Sequence, residues 1–161
     1  PNARVGLYRT SGVHLSPDSM PVPPAVDPGG WLVVDVGYRP EQVLAGSGWL
    51  SGLLAEAPMV VVVARGSVPG LRRLESALHL FDPSRTVVVV VGPVLRRWPR
   101  RLVAVLGPTT RVLADRGRLV VFEEDRVLAV NGLTPDRLPA RLVGSAGEVL
   151  SLLVKVNDYA Q

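Results

Sequence analysis

Apolar residues in this chain follow two rhythms. Residues 59–64, 86–91 and 118–122 are apolar runs with little or no alternation, and residues 31–36 (Trp-Leu-Val-Val-Asp-Val) form a fourth. A strand apolar on both sides belongs inside a parallel sheet covered by helices. Between these runs the spacing changes to that of a helix, with one apolar face every three or four residues. Leu44, Leu50, Leu53 and Leu54 follow residues 31–36, and Leu71, Leu74, Leu78 and Phe81 follow residues 59–64. Leu102, Val103 and Leu106 follow residues 86–91. Residues 139–156 end the chain as an amphipathic helix with Leu142, Ala146, Val149, Leu150 and Leu153 inward.

The punctuation agrees with this alternation. Pro40 suits a first helical turn, whereas Gly46, Gly48 and Gly52 weaken the helix that follows. Ser67 is placed to cap a helix with Pro69 in its first turn. Asp82-Pro83-Ser84 reads as a turn, Gly107-Pro108 as a stop, and residues 126–130 as one helical turn closed by Asn131-Gly132. Strands separated by helices predict βαβ units, hence an α/β fold: an open, doubly wound, mostly parallel sheet with helices on both faces. Residues 1–30 stand apart. Residues 4–8 could form a short strand, and seven Pro and Gly between 16 and 30 make that stretch an irregular connector. The expected organisation is an irregular segment over 1–30, an α/β domain over 31–156 and a fraying tail over 157–161.

At 161 residues the chain can bury a substantial core, and with 47% hydrophobic but only 5% aromatic residues that core is aliphatic. No apolar run approaches the ~18 residues of a membrane span. The absence of cysteine excludes disulfides and thiolate chemistry, and the sequence shows no basic-then-apolar leader at its start. Both fit a cytoplasmic protein. His14 and His79 lie far apart in sequence, which gives a zinc site little support. The net charge of +4 is carried by seventeen Arg and one Lys. That skew, with abundant Ala, Gly, Val and Pro, reads first as coding bias and second as affinity for nucleic acid or another anionic surface.

Ligands of an open parallel sheet bind at the carboxyl ends of its strands. The positions to inspect are residues 35–39, 65–67, 92–95 and 123–125. Asp35, at the end of an apolar run and followed by Gly37, is placed as a magnesium-linked or water-orienting acid; equally, it could cap a turn. Arg65-Gly66-Ser67 could present backbone N–H groups to an anion or serve as an ordinary helix cap. Arg96, Arg97, Arg100 and Arg101 surround Trp98, and Arg72, Arg73, Arg111, Arg116 and Arg118 could extend them. They form either a face for phosphate backbones or acidic protein, or a solvated helix surface with Trp98 as its anchor. Glu123, Glu124 and Asp125 could act as paired carboxylates or line a loop; no His or nucleophile stands at a telling spacing.

The order of these features resembles the C-terminal half to two-thirds of the MinD/ParA family of deviant Walker ATPases, over residues 31–154. Asp35-Val36-Gly37 matches that family's Asp-x-Gly switch, and Asp125 with Leu128-Ala129 matches its adenine-side turn. Three places differ. Gly92-Pro93 stands where the family has a base-reading Asn, Glu123 stands where its Pro-x-Asp has Pro, and the Lys-Gly-Gly-x-Gly-Lys phosphate loop is absent. The resemblance implies a P-loop NTPase-like sheet and a spatial-organising or partitioning protein of actinobacterial character. It implies Asp35 and Gly37 as catalytic switch residues if a phosphate loop is supplied, with Asp35 holding magnesium indirectly. Gly92, Pro93, Glu123 and Asp125 would then lie around the nucleotide. ATP and Mg are the implied cofactors, although this chain alone is expected to bind neither and to act as a fragment or pseudo-ATPase. Its partners would be a protein or a second copy of itself, and non-specific DNA. The alternative is a nucleotide-independent DNA- or protein-binding module using Arg96, Arg97, Arg100 and Arg101. A small Rossmann-like transferase is a third reading, without the Gly-x-Gly-x-x-Gly fingerprint.

Overall fold

A computed structural model describes residues 8, 10, 12–24, 31–132 and 134–159, with side chains through 155. The chain divides into two compact units, Pro1–Ala57 and Pro58–Gln161. The expected strand at residues 4–8 lies outside the described residues except for Tyr8, which is not in a strand.

In the first unit the described elements are a 3-10 turn, Pro17–Ser19, and two helices, α1 (Pro40–Leu44) and α2 (Trp49–Glu56). The single helix expected here is broken at Gly46-Ser47-Gly48, where the three residues form a bend between helices. The close approach of Asp18 explains the glycines: its Oδ1 accepts from the N–H groups of Ser47 (3.0 Å) and Gly48 (2.7 Å). A Cβ on Gly48 would sit 2.9 Å from that oxygen. Residues 31–36, expected as a strand, are not one. Trp31, Leu32 and Val33 are exposed, and no strand lies beside them among the described residues of this unit. An apolar run with a high β propensity becomes a strand only where a neighbour completes its backbone pairing.

The second unit carries the sheet. Strands β1 (Val60–Arg65), β2 (Thr86–Val91) and β3 (Leu119–Phe122) are parallel, in the order β1-β2-β3. The fold is therefore α/β and Rossmann-like, with a small open sheet. Helix α3 (Val68–Leu78) connects the first two strands. A 3-10 turn at Leu95–Arg97, α4 (Arg100–Ala104) and α5 (Pro108–Asp115) connect the next two. The short helix α6 (Arg126–Asn131) and the long α7 (Ala140–Tyr159) follow β3.

Register assigns the two faces. Val62, Val88 and Leu119 are aligned, and so are Ala64, Val90 and Val121. These residues meet Leu71, Leu74 and Leu78 of α3, Trp98, Leu102 of α4 and Leu113 of α5 in one core. Both crossovers step in the same direction, so right-handed connections place α3 and α5 on one side, where they pack together. On the opposite face α7 lies against β3 and β2, with Leu153 buried and the Ser145 hydroxyl donating to the Val121 carbonyl at 3.2 Å. Cover on that face fades toward β1. In the aligned row, Val120 is 1%, Val89 6% and Val63 63% exposed. Central β2 is buried along most of its length, which is why its sequence is almost pure valine.

Candidate functional site

The carboxyl ends of the three strands gather several of the expected residues. Gly66 N–H donates to the Val91 carbonyl (2.8 Å) and Gly92 N–H to the Phe122 carbonyl (2.9 Å), so the ladder runs one residue past β1 and β2. The two glycines abut: a Cβ on Gly92 would lie 3.3 Å from the Gly66 Cα. Arg65 leans across to Glu124 at 3.4 Å. Ser67 begins α3 by accepting from the Gly70 N–H through its hydroxyl (3.2 Å), the capping role expected of it.

The three acids after β3 have structural partners. Asp125 caps α6, its Oδ1 accepting from Val127 N–H (3.0 Å) and Leu128 N–H (3.1 Å). Its other oxygen pairs with Arg141 of α7, which also stands 3.8 Å from Glu123. The Leu128 backbone bond, outweighing desolvation together with Val127 and Arg141, holds the Asp125 carboxyl below its usual range. Glu123 and Asp125 thus serve to join α6 and α7 to the end of β3. Pro93 is tied down as well: its carbonyl accepts from the Trp98 indole N–H at 2.6 Å. Among the described residues the three strands keep their sequence order, without the reversal that opens a switch-point crevice in such sheets.

Asp35 and Gly37 belong to the first unit. They line a shallow depression of about 340 Å³ with Thr10, His14, Met20, Val36 and Tyr38. The Tyr38 hydroxyl donates to the His14 carbonyl at 2.6 Å, and Gly37 takes φ +66°, a left-handed turn suited to glycine. Among the described residues no group of three or more His, Asp or Glu is placed to hold a metal ion.

The arginine run is the most distinctive surface. Arg96 and Arg97 lie in the 3-10 turn and Arg100 and Arg101 in the first turn of α4, all exposed. Trp98, between them, points inward and is 8% exposed. Arg72 and Arg73 leave α3 outward because Leu71 and Leu74 face the core, and Arg111 leaves α5 because Thr110 and Leu113 do. None of these seven guanidinium groups forms an ion pair among the described residues. Arg118 is different, being half-buried and bonded to the Pro83 and Ser84 carbonyls.

The acids of this region are few and two are committed. Between residues 58 and 122 there are eleven Arg and three acids, Glu75, Asp82 and Asp115. Asp82 caps the 3-10 turn Pro83–Arg85 through the Ser84 N–H at 2.7 Å. Glu75, on α3, caps α5 from outside that helix: its Oε1 accepts from Thr109 N–H (2.8 Å), and its Oε2 from Thr110 N–H (3.0 Å) and the Thr110 hydroxyl (2.7 Å). Burial pushes this carboxyl up, but the Thr110 and Thr109 bonds together outweigh burial and leave it below the ordinary glutamate value. Sequence reading finds the arginines but passes over Glu75, since a carboxylate 34 residues from its helix leaves no local signature. The signal that is present is Gly107, a cap position with no side chain of its own.

No protein-family model, curated protein or solved structure matches the chain.

Proposed function

We propose that the chain is a nucleotide-independent binding module whose α3–α4–α5 layer docks on the phosphate backbone of nucleic acid. One observation carries the reading: seven exposed arginines stand on α3, the Leu95–Arg97 turn, α4 and α5, elements that share one core, with no ion pairs among the described residues, while two of the three acids between residues 58 and 122 are occupied as caps. Cations left unpaired on a firm surface are the electrostatic footprint of a polyanion partner. Charge is also distributed unevenly along the chain. Residues 58–161 carry fifteen basic and nine acidic side chains, net +6, whereas residues 1–57 carry three and five, net −2. The test is the affinity of the purified chain for labelled DNA as a function of salt. The triple variant R97Q/R100Q/R101Q is expected to bind more weakly and to lower the salt slope by about 0.9 for each phosphate it no longer neutralises. Salt-independent affinity, or an unchanged slope in that variant, overturns the proposal. Capture of an acidic protein by the same arginines, without DNA binding, reassigns the surface.

The parallel sheet favours a second reading, the MinD/ParA-like lineage. Here the chain is a fragment or pseudo-ATPase that associates with a protein partner or a second copy, and Asp35 works only with a phosphate loop from elsewhere. Titration with a fluorescent ATP analogue, with and without magnesium, tests it. Magnesium-dependent binding lost in Asp35→Ala supports the lineage, and no binding by this chain or by a longer form removes nucleotide from its function.

A further inference from the structure

We infer that the basic face takes double-stranded DNA along its backbone in preference to single strands; this rests on the nucleic-acid reading above. The discriminating residue is Trp98. Its position within an arginine run, Arg96-Arg97-Trp98-Pro99-Arg100-Arg101, suggests an aromatic platform interleaved with cations, the arrangement by which single strands are held through base stacking. The structure commits the ring elsewhere. Trp98 belongs to the core with Leu71, Leu74 and Leu102, and its indole N–H is satisfied by the Pro93 carbonyl. Turning it outward would open a void beneath α4 and leave that buried donor without its partner, both costly. Of the larger rings described in this unit, Phe81 is 7% exposed and Phe122 is half-buried at the end of β3, while the exposed imidazole of His79 stands at the carboxyl end of α3, outside the arginine run.

The arginine run is therefore guanidinium without a base-stacking ring of its own, mounted on elements whose inner sides are fixed. Leu71 and Leu74 hold α3, Leu102 holds α4, and Thr110 and Leu113 hold α5, all buried. A fixed array of cations gains most from a partner whose charges are also fixed and dense. Duplex DNA presents one phosphate per about 1.7 Å of axis and gives a salt slope of about 0.9 per contact, against about 0.7 for a single strand. A single strand would have to be ordered on this surface with no stacking to offset the loss. Backbone contacts also carry no base information, so recognition by this face is independent of sequence.

The experiment uses the intact chain and no variant. Fluorescence anisotropy compares a labelled duplex of about 20 base pairs with each of its separated strands across a salt series, then an A·T-rich with a G·C-rich duplex. The duplex is expected to bind at least tenfold more tightly, with the steeper salt slope, and the two duplexes to agree within about threefold. Single strands binding as tightly as the duplex overturn the inference and leave the nucleic-acid reading standing. A large preference between the duplexes overturns the backbone-only mode. Failure of every probe to bind at low salt overturns both the inference and the function it rests on.

Discussion

Replacing Glu75 by alanine removes the carboxylate that closes the first turn of α5. Gly107, the residue before that helix, has no side chain to do so, and Pro108 has no N–H to satisfy. The Thr109 and Thr110 N–H groups and the Thr110 hydroxyl all end on Glu75, and Thr110 is 1% exposed. Losing a helix cap costs about 1 kcal/mol. Stranding a buried hydroxyl adds about 1 kcal/mol or more, reduced where water enters the space left by the side chain. The expected loss is about 2 kcal/mol, read as a fall of about 5–10 °C in melting temperature and a matching decrease in urea midpoint. The pH dependence gives a second handle. The folded carboxyl sits below its ordinary value of 4.5, so its contribution is complete above that value and is lost as pH falls through 4.5 and then through the lowered folded value. Glu75→Gln keeps the shape without the charge, so its deficit relative to the parent should be largest near neutrality and shrink in acid. A loss below about 0.5 kcal/mol in Glu75→Ala, the level of an inconsequential surface change, would refute the reasoning. So would a parent–Glu75→Gln difference that stays constant from neutrality into acid.

Gly70→Ala separates propensity from packing. Propensity alone predicts stabilisation of α3 by about 1 kcal/mol, but a Cβ there would run into the Arg65 carbonyl oxygen, so a net loss in urea denaturation is expected. Asp125→Ala should open α6 more than Arg141→Ala does. The first removes the side-chain acceptor of two α6 N–H groups together with an ion pair, and the second breaks only partly exposed ion pairs, which contribute little. Hydrogen exchange at the Val127 and Leu128 amides reads the order, and equal protection in the two variants would contradict it.

The sheet is legible in the sequence because burial on both faces leaves an unmistakable trace. The valines of β2 fall on the expected residues, 86–91, and β1 and β3 begin one residue later than expected. Ser67 with Pro69 locates the start of α3 because a local cap is written locally. Gly107-Pro108 misleads, since the pair that ends one helix also suits the cap and first position of the next, and α5 goes unseen. The inner face of α7 is slightly off its expected position. Ser145, rather than Ala146, turns toward β3, and Leu150 is 53% exposed, because one side of that helix is apolar over a wider arc than the sheet covers. Val103 likewise faces outward, at 46% exposed, with Leu102 taking the core position. Of the candidate site, the arginines are visible as composition, but their lack of partners depends on where the acids end up. Asp35 shows the opposite problem: a short motif reads the same on a strand and on a loop.

Two helices, one in each unit, start at a glycine and receive their missing acceptor from far along the chain: Asp18 serves α2 and Glu75 serves α5. Neither helix carries the information for its own beginning. An excised α5 segment would lack its acceptor and, at eight residues, falls below the length at which a helix persists alone in water. Secondary structure here is thus a consequence of tertiary closure. Within the second unit, α3 and the start of α5 should form and melt as one cooperative block, with no helical remnant outliving the packing that holds Glu75 in place.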